Sequence, residues 1–322
     1  RFAALCPAAF RLSLGGAPLY LLGVTLAAVI LIPQLSPASA FVVAATLMLN
    51  GGAFDRRAVT ATHAPLGIKA TVRMESAAII ALGAPVAALA VGFAAAPGAG
   101  GAALKPLFDA SFEIFAGFSV GGAMGLLAAR SAHQTAGASP FVWALAAGAA
   151  AFAFAAFAGF NAVVAAGAAG LIWSEDARAS TRARLKLRRR IEYYVQPAAY
   201  FLFAATFAPR LFGADLLSLV FAALSVTVLR AGPRLVALQQ AALAPESRRF
   251  LAWFGGAPGA ASALFLLSLL DEATIAEHES VLTVSALAIV AGVAAARLTS
   301  RPLANKFLRE MATARKRRLL AG

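Results

Sequence analysis

The chain has 322 residues, of which 61% are hydrophobic and 13% are charged. Soluble domains are about 45–50% apolar and about 25% charged, so this composition excludes an ordinary soluble protein. The net charge of +14 falls mainly between the apolar segments, which indicates membrane topology and argues against a nucleic-acid partner.

The apolar segments predict an all-α polytopic membrane protein, because runs of this length cross about 30 Å of hydrocarbon as helices. Strand alternation is absent from the sequence, which excludes a closed barrel. Arg1 falls part-way through an amphiphilic stretch, so we expect helices to precede it and find no signal peptide. We predict about ten spans, in chain order 14–33, 38–54, 72–94, 110–130, 140–158, 160–173, 192–209, 213–237, 250–270 and 279–298.

The loop charges predict an orientation in the bacterial inner membrane. When the spans are threaded alternately, one side collects nearly all the basic residues, and the opposite side collects only Lys105 and Arg210. By the positive-inside rule, both ends of the chain are expected in the cytoplasm. The basic runs 182–190 and 315–318 are read as topology-setting cytoplasmic segments, with contact to anionic membrane lipid as the alternative.

Two spans contain residues that interrupt helices. Asn50, Gly51 and Gly52 lie in the second span, and the ninth contains a second group, Gly255, Gly256, Pro258 and Gly259. Each span is the middle member of a triplet, and the two triplets have opposite predicted topology. This pattern predicts inverted repeats with broken helices that cross, as in secondary transporters. The alternative is that the glycines only allow close helix packing, which is our reading of Gly117, Gly121, Gly122 and Gly125.

The predicted organisation is a single membrane transporter domain over 1–322. It has four parts: a first core repeat unit, 14–94; intervening helices, 110–209; a second core repeat unit, 213–298; and a basic cytoplasmic tail, 299–322.

Two charges fall inside spans. Glu75 precedes a long uncharged stretch, and Arg230 lies deep in the eighth span. Buried charges of this kind face the protein interior and find partners, so we predict a Glu75–Arg230 pair. Glu75 then serves either as a titrating transport site or as one half of a fixed ionic brace.

Other chemistry has little support in the sequence. The three histidines, His63, His133 and His278, lack metal-ligand spacing, so no metal site is expected. The sequence contains no catalytic triad, cofactor fingerprint or phosphate-binding loop in a suitable context, and we predict neither an enzyme nor a cofactor. The single Cys6 excludes an internal disulfide framework.

These features together resemble the monovalent cation/proton antiporter (sodium/hydrogen exchanger) family. Segment 73–85 resembles that family's sixth helix, which carries Glu-Ser-x-x-Asn-Asp; segment 253–262 resembles its broken twelfth helix; and 298–304 resembles its closing Leu-Thr-x-x-Pro-Leu-Ala. The resemblance covers nearly the whole chain and lacks the family's first three helices. It implies exchange of a monovalent cation, Na⁺ or K⁺, for protons, and it also implies a homodimer.

The sequence departs from that family at its two membrane aspartates and at the asparagine beside one of them. Glu75, Ser76 and Arg230 match the pattern, but Gly51 and Ile80 stand where the family has membrane aspartates, and Ile79 replaces its asparagine. Ile80 cannot titrate or bind a cation. A drifted exchange site using Glu75, Ser76 and Asn50 is one hypothesis, with Asp55 as a substitute carboxylate. A transport-inactive or altered-substrate scaffold or regulator is the alternative.

Overall fold

The structure is a computed structural model of the whole chain. It describes residues 7–49, 66–95, 104–134, 140–176, 181–255, 258–271, 275 and 277–321. Within these ranges the chain is helical, and no strand occurs there. The predicted all-α class is therefore confirmed.

The helices are numbered along the chain. The first six are α1 (Pro7–Leu31), α2 (Pro37–Met48), α3 (Leu66–Ala94), α4 (Leu104–Gln134), α5 (Pro140–Phe157) and α6 (Ala162–Asp176). They are followed by α7 (Thr181–Leu211), α8 (Leu216–Val226), α9 (Val228–Leu238), α10 (Pro245–Phe254), α11 (Ala260–Ser268) and α12 (His278–Ala321).

Several helices have the length and composition to cross a membrane. Within the described residues there are five: Pro7–Leu31, Gly67–Ala94, Ser111–Ala132, Leu216–Leu238 and His278–Thr313. Their outer faces carry large apolar side chains, such as Ile30, which is 73% exposed, and Phe115, which is 71% exposed. Such faces are stable against lipid rather than water. The total of ten spans stays a prediction.

Three local expectations from the sequence are corrected. The basic run 182–190 lies within α7, and the tail continues α12 through Ala321, so both are helical rather than loops. Arginine, lysine and leucine are good helix formers, which favours this extension. The eighth span is also interrupted, because Thr227 has φ −105° and ψ −89° between α8 and α9. Its hydroxyl donates to the carbonyl of Ala223, a contact that bends helices.

The chain divides into two compact units. The first comprises Arg1–Gly83 with Leu202–Gly322, and the second comprises Ala84–Phe201. In the second unit, α4 packs against α6 along its glycines. A β-carbon at Gly121 would lie 2.0 Å from the carbonyl oxygen of Ala165, and one at Gly125 would lie 2.4 Å from that of Ala169. At Gly117 it would lie 2.6 Å from the carbonyl oxygen of Asn161, the residue just before α6. The packing role predicted for these glycines is confirmed.

The first unit contains both interrupted regions that the sequence indicates. Its core is aromatic where α10 meets α12: the Phe250 ring stacks on Phe254 and on Phe307, with centroid distances of 4.2 and 4.3 Å. Leu12 of α1 and Leu238 of α9 are buried in the same cluster. This packing holds the end of α10 in a fixed position beside α9.

Candidate functional site at the helix interruptions

The ends of the two interrupted helices meet in the first unit. The chain leaves helical geometry at Leu49, immediately after α2, and at Gly255, immediately after α10. The Ser262 hydroxyl in the first turn of α11 donates a hydrogen bond to the Leu49 carbonyl oxygen. This bond joins the flank of the first interruption to the far side of the second.

Four of the predicted site residues are not among the residues that the structure describes. Asn50, Gly51, Gly52 and Gly256 lie outside the described residues, as does Asp55. Their flanking residues are placed, and these define the site that follows.

The second interruption is held against the long helix α12. Pro258 is buried, and a β-carbon at Gly292 of α12 would lie 2.7 Å from its Cγ atom. Gly292 therefore leaves the space that Pro258 occupies. Gly259 is extended, with φ −149° and ψ −150°, and α11 begins directly after it.

Glu75 forms a buried bidentate ion pair with Arg234. Its Oε1 accepts from Nη1, and its Oε2 lies 2.9 Å from Nη2. The side chains of Glu75 and Arg234 are 1% and 5% exposed. Fork-to-fork pairing of this kind is among the strongest charge-assisted contacts in proteins. The carboxylate is thus held by one guanidinium on α9.

The predicted Glu75–Arg230 pairing is wrong, because Arg234 is the partner. Arg234 follows Pro233, and the hydropathy pattern places it at the cytoplasmic edge of its span. In the structure α9 continues through Leu238, which brings Arg234 into the core. Pro233 lies inside α9, where it removes one backbone hydrogen bond, and the helix continues past it. The signal in the sequence was the four-residue spacing of the two arginines, which puts them on one helix face.

Both arginines also bind the end of α10. Arg234 donates to the carbonyls of Ala252 at 3.0 Å and Leu251 at 2.8 Å. Arg230 donates to the carbonyl of Trp253, and its guanidinium lies 5.0 Å from the centroid of the Trp253 ring. The last carbonyls of a helix lack partners within it and carry partial negative charge. Two guanidiniums therefore stabilise the interruption itself.

Gly255 lies directly against the ion pair. A β-carbon there would fall 1.8 Å from Nη2 of Arg234 and 2.7 Å from Oε2 of Glu75. No side chain fits this position without displacing the pair. The glycine that the sequence assigns to a helix break is required by the charges packed beside it.

The remaining predicted residues differ in orientation. The Ser76 hydroxyl donates to the Val72 carbonyl of its own helix at 2.9 Å. Ile79 is 4% exposed and lines a small cavity, whereas Ile80 is 39% exposed on the outer face. The inward isoleucine, and not the one aligned with the family aspartate, is therefore the apolar neighbour of the buried charges.

This cavity, of about 20 Å³, lies between α1, α2, α3 and α9. Its lining consists of Gly16, Ala17, Tyr20, Met48, Ile79, Arg230 and Arg234. Among the described lining residues the charged groups are both guanidiniums. Two like charges in one cavity repel each other. A bare cation is therefore disfavoured at this point.

Spanning helices, two helix interruptions that meet, and buried charges at their ends define the chain as a multi-pass membrane protein of the transporter class. The model of the family "Sodium/hydrogen exchanger, transmembrane" matches residues 3–304, and the chain belongs to this family. The resemblance drawn from the sequence is confirmed. A search of curated proteins finds no significant match.

A solved structure supports the same fold. The chain is similar to the sodium proton antiporter MjNhaP1 from Methanocaldococcus jannaschii, determined at pH 8, with a TM-score of 0.64 and 14% identity. The match covers 94% of this chain and 79% of that chain. The family is one of transporters, which supports cation:proton antiport as the class of activity.

Proposed function

We propose that this chain exchanges a monovalent cation, Na⁺ or K⁺, for protons across a bacterial inner membrane. The observation that carries the proposal is the meeting of α2 and α11 at Leu49 and Ser262, in the same unit as the buried carboxylate of Glu75, in a sodium/hydrogen exchanger family member. Interrupted helices free backbone carbonyls in the membrane interior, where they coordinate ions.

The cation ligands in this proposal are oxygen atoms at the first interruption. The Leu49 carbonyl ends α2, so the negative end of that helix dipole favours a cation nearby. Asn50 follows directly along the chain, and Ser76 lies one residue after Glu75 on α3. We propose Asn50, Ser76 and the Leu49 carbonyl as the neutral ligands, with Gly51 and Gly52 allowing close backbone approach.

Glu75 is the proposed proton-exchanging group. Protonation of its carboxylate weakens the bond to Arg234, which retains the Leu251 and Ala252 carbonyls as partners. Arg234 therefore loses its ion pair but keeps its hydrogen bonds to the two backbone carbonyls, so the structural change on protonation is confined to the carboxylate. A proton on Glu75 removes the negative charge that favours a cation at the neutral ligands, so proton and cation occupancy oppose each other, which is the requirement for coupled exchange.

The topology belongs to the proposal as well. Apolar spans with basic residues on one side favour an inner-membrane protein with both ends in the cytoplasm. We propose an inverted pair of core repeats, 14–94 and 213–298, within one transporter domain over 1–322, together with a homodimeric assembly in contact with membrane lipid. No nucleic acid, metal or cofactor enters it.

A transport-inactive or altered-substrate role, as a membrane scaffold or regulator, is the second candidate. The observation that favours it is the bidentate ion pair on Glu75, in which both carboxylate oxygens contact Arg234 and the side chain is 1% exposed. In the described part of the site no second carboxylate contacts this pair, and Ile79 closes the adjacent cavity. A site so fixed supports the fold without exchanging ions.

Cation-driven proton flux in proteoliposomes separates the two candidates. The purified full-length protein, reconstituted with an internal pH dye, is expected to respond to Na⁺ or K⁺ gradients above empty liposomes. Glu75→Gln should reduce that flux to the empty-liposome level, whereas Glu310→Gln, an exposed carboxylate on α12, should retain it. Folded, monodisperse wild-type protein without flux would establish the scaffold.

A further inference from the structure

A pocket of about 120 Å³ lies between α10 and α12 of the first unit. Its floor is apolar: the rings of Phe250 and Phe307, which are 6% and 4% exposed, stack on each other. Trp253 and Leu303, both half-buried, also line it. Because a cavity of about 150 Å³ accommodates a benzene ring, this pocket has room for a hydrocarbon segment of a few carbon atoms.

Two contacts establish how the helices pass each other at this pocket. The indole N–H of Trp253 donates to the Thr299 hydroxyl at 3.0 Å, and the ring centroids of Phe250 and Phe307 are 4.3 Å apart. The two helices therefore run antiparallel here, with earlier residues of α10 opposite later residues of α12. Residues 280–296 of α12 carry no charge, so the end of the pocket at Trp253 lies nearer the apolar part of the span.

Four charged residues line the same pocket, and they follow an order along it. Arg249 and Lys306 directly precede the two stacked phenylalanines in the sequence. Glu246 and Glu310 lie about one helical turn farther from the uncharged part of the span. The lining therefore changes from apolar to basic to acidic, and the two positive and two negative charges cancel.

Three of these charges are available to a ligand. Glu246 and Arg249 form no ion pair with another residue of the described part of the chain. Lys306 lies 4.0 Å from Glu310, and their side chains are 72% and 41% exposed. An exposed pair of this kind contributes little to stability, so Lys306 remains available to another anion. The pocket therefore offers two cations and one carboxylate above an apolar floor.

We propose that this pocket binds a zwitterionic phospholipid of the phosphatidylethanolamine class. The first carbons of an acyl chain pack on Phe250 and Phe307. The phosphate oxygens accept hydrogen bonds from Arg249 and Lys306, and the ammonium group donates to Glu246. Hydrocarbon, phosphate and amine follow one another in this lipid in the same order as the apolar, basic and acidic parts of the lining.

The proposal goes beyond general contact with membrane lipid, because it names one site and one headgroup. It does not depend on whether the chain exchanges cations. A lipid in this pocket contacts both α10 and α12, so binding should stabilise the folded protein. Phosphatidylglycerol contains the phosphate but lacks the ammonium group, which leaves Glu246 without a cationic partner from the lipid.

Lipid-dependent thermal stability tests the proposal. The delipidated full-length protein in detergent is titrated with phosphatidylethanolamine, with phosphatidylglycerol of the same acyl chains, and with phosphoethanolamine, the headgroup alone. We expect a saturable rise in the melting temperature with phosphatidylethanolamine, at lower concentration than with phosphatidylglycerol, and none with phosphoethanolamine. Glu246→Gln should lower the affinity for phosphatidylethanolamine about three- to fivefold and should not lower that for phosphatidylglycerol, because only the contact to the amine is lost.

Matched variants and a direct map complete the test. Arg309→Gln and Asp271→Asn remove exposed charges outside the pocket and should leave every titration unchanged. Arg249→Gln should weaken both phospholipids, because both contain the phosphate. Phosphatidylethanolamine with a photoreactive diazirine near the start of one acyl chain should label α10 and residues 299–310. The proposal is overturned by a melting temperature indifferent to phosphatidylethanolamine, by equal affinity for the two phospholipids, by an equal loss for both in Glu246→Gln, or by labelling confined to other helices.

Discussion

The Ser262 hydroxyl donates a hydrogen bond to the Leu49 carbonyl oxygen. This bond joins two residues that are 213 positions apart in the chain, where α2 ends and α11 begins. Ser262 is fully buried at the start of α11, and Leu49 is 3% exposed at the end of α2. A carbonyl at a helix end has no partner within its own helix. The serine therefore satisfies a group that the interruption of α2 exposes.

Ser262→Ala should destabilise the protein by about 1–3 kcal/mol, because the Leu49 carbonyl is left buried without this donor. The measurement is the thermal midpoint in detergent. Ser268→Ala is the matched control, since that hydroxyl bonds the Phe265 carbonyl of its own helix at the exposed end of α11. Equal melting temperatures for the two variants would show that the Leu49 contact contributes nothing.

Gly255→Ala should destabilise the protein and disturb the charges beside it. The added β-carbon would lie 1.8 Å from Nη2 of Arg234, so the guanidinium or the backbone must move. Overpacking of this kind costs about 1–3 kcal/mol. Gly148→Ala is the control on α5, where nothing lies within 4 Å of the added atom and alanine favours the helix by about 0.5–1 kcal/mol. A neutral Gly255→Ala would contradict the close approach of that backbone to the ion pair.

The family and the all-helical class could be predicted from the sequence, because composition, span length and motif order are each read along the chain without knowledge of its contacts. The pairing of Glu75 was not accessible in the same way. Hydropathy treats Arg234 as an interfacial residue after a proline, yet its guanidinium is drawn inward by one carboxylate and two backbone carbonyls. Such contacts depend on the end of α10, which lies outside the window that a span pattern considers.

The irregular turns could not be predicted from the hydropathy pattern either. The π-helical turn at Leu12–Gly16 and the break at Thr227 fall within apolar runs that read as continuous helix. Both depend on neighbours from other helices: Gly16 packs on Ala237, and α9 must turn to present its two arginines. By contrast, Gly255 and Gly259 lie outside helices where the sequence predicts a break, because Gly and Pro residues mark such breaks.

Arg234→Gln should destabilise the protein far more than the loss of an exposed ion pair. Removing the guanidinium leaves Glu75 charged and buried, which typically costs about 3–5 kcal/mol. The double variant Glu75→Gln with Arg234→Gln should recover part of that loss, because no net charge is then stranded. Arg210→Gln is the control, since its partner Glu279 is 70% exposed and such pairs contribute about 0–1 kcal/mol. A double-mutant cycle with no coupling would contradict the bidentate pair.

Two glycines of α4, Gly121 and Gly125, form a contact surface with α6 that we call the glycine seam. It gives a prediction that concerns the second unit alone. Gly121 and Gly125 allow the α4 backbone to contact the carbonyls of Ala165 and Ala169 on α6, and the β-carbon of an alanine at either glycine would lie about 2 Å from an oxygen atom (2.0 and 2.4 Å). Helix pairs in membranes gain their stability from such close packing, since lipid gives little hydrophobic drive to associate.

Gly121→Ala should therefore separate α4 from α6 and lower the thermal midpoint, with a cost of about 1–3 kcal/mol from overpacking. Gly170→Ala on α6 is the matched control, because that position is exposed and nothing lies within 4 Å of the added methyl group. If Gly121→Ala and Gly170→Ala melt at the same temperature, α4 and α6 do not pack through this seam.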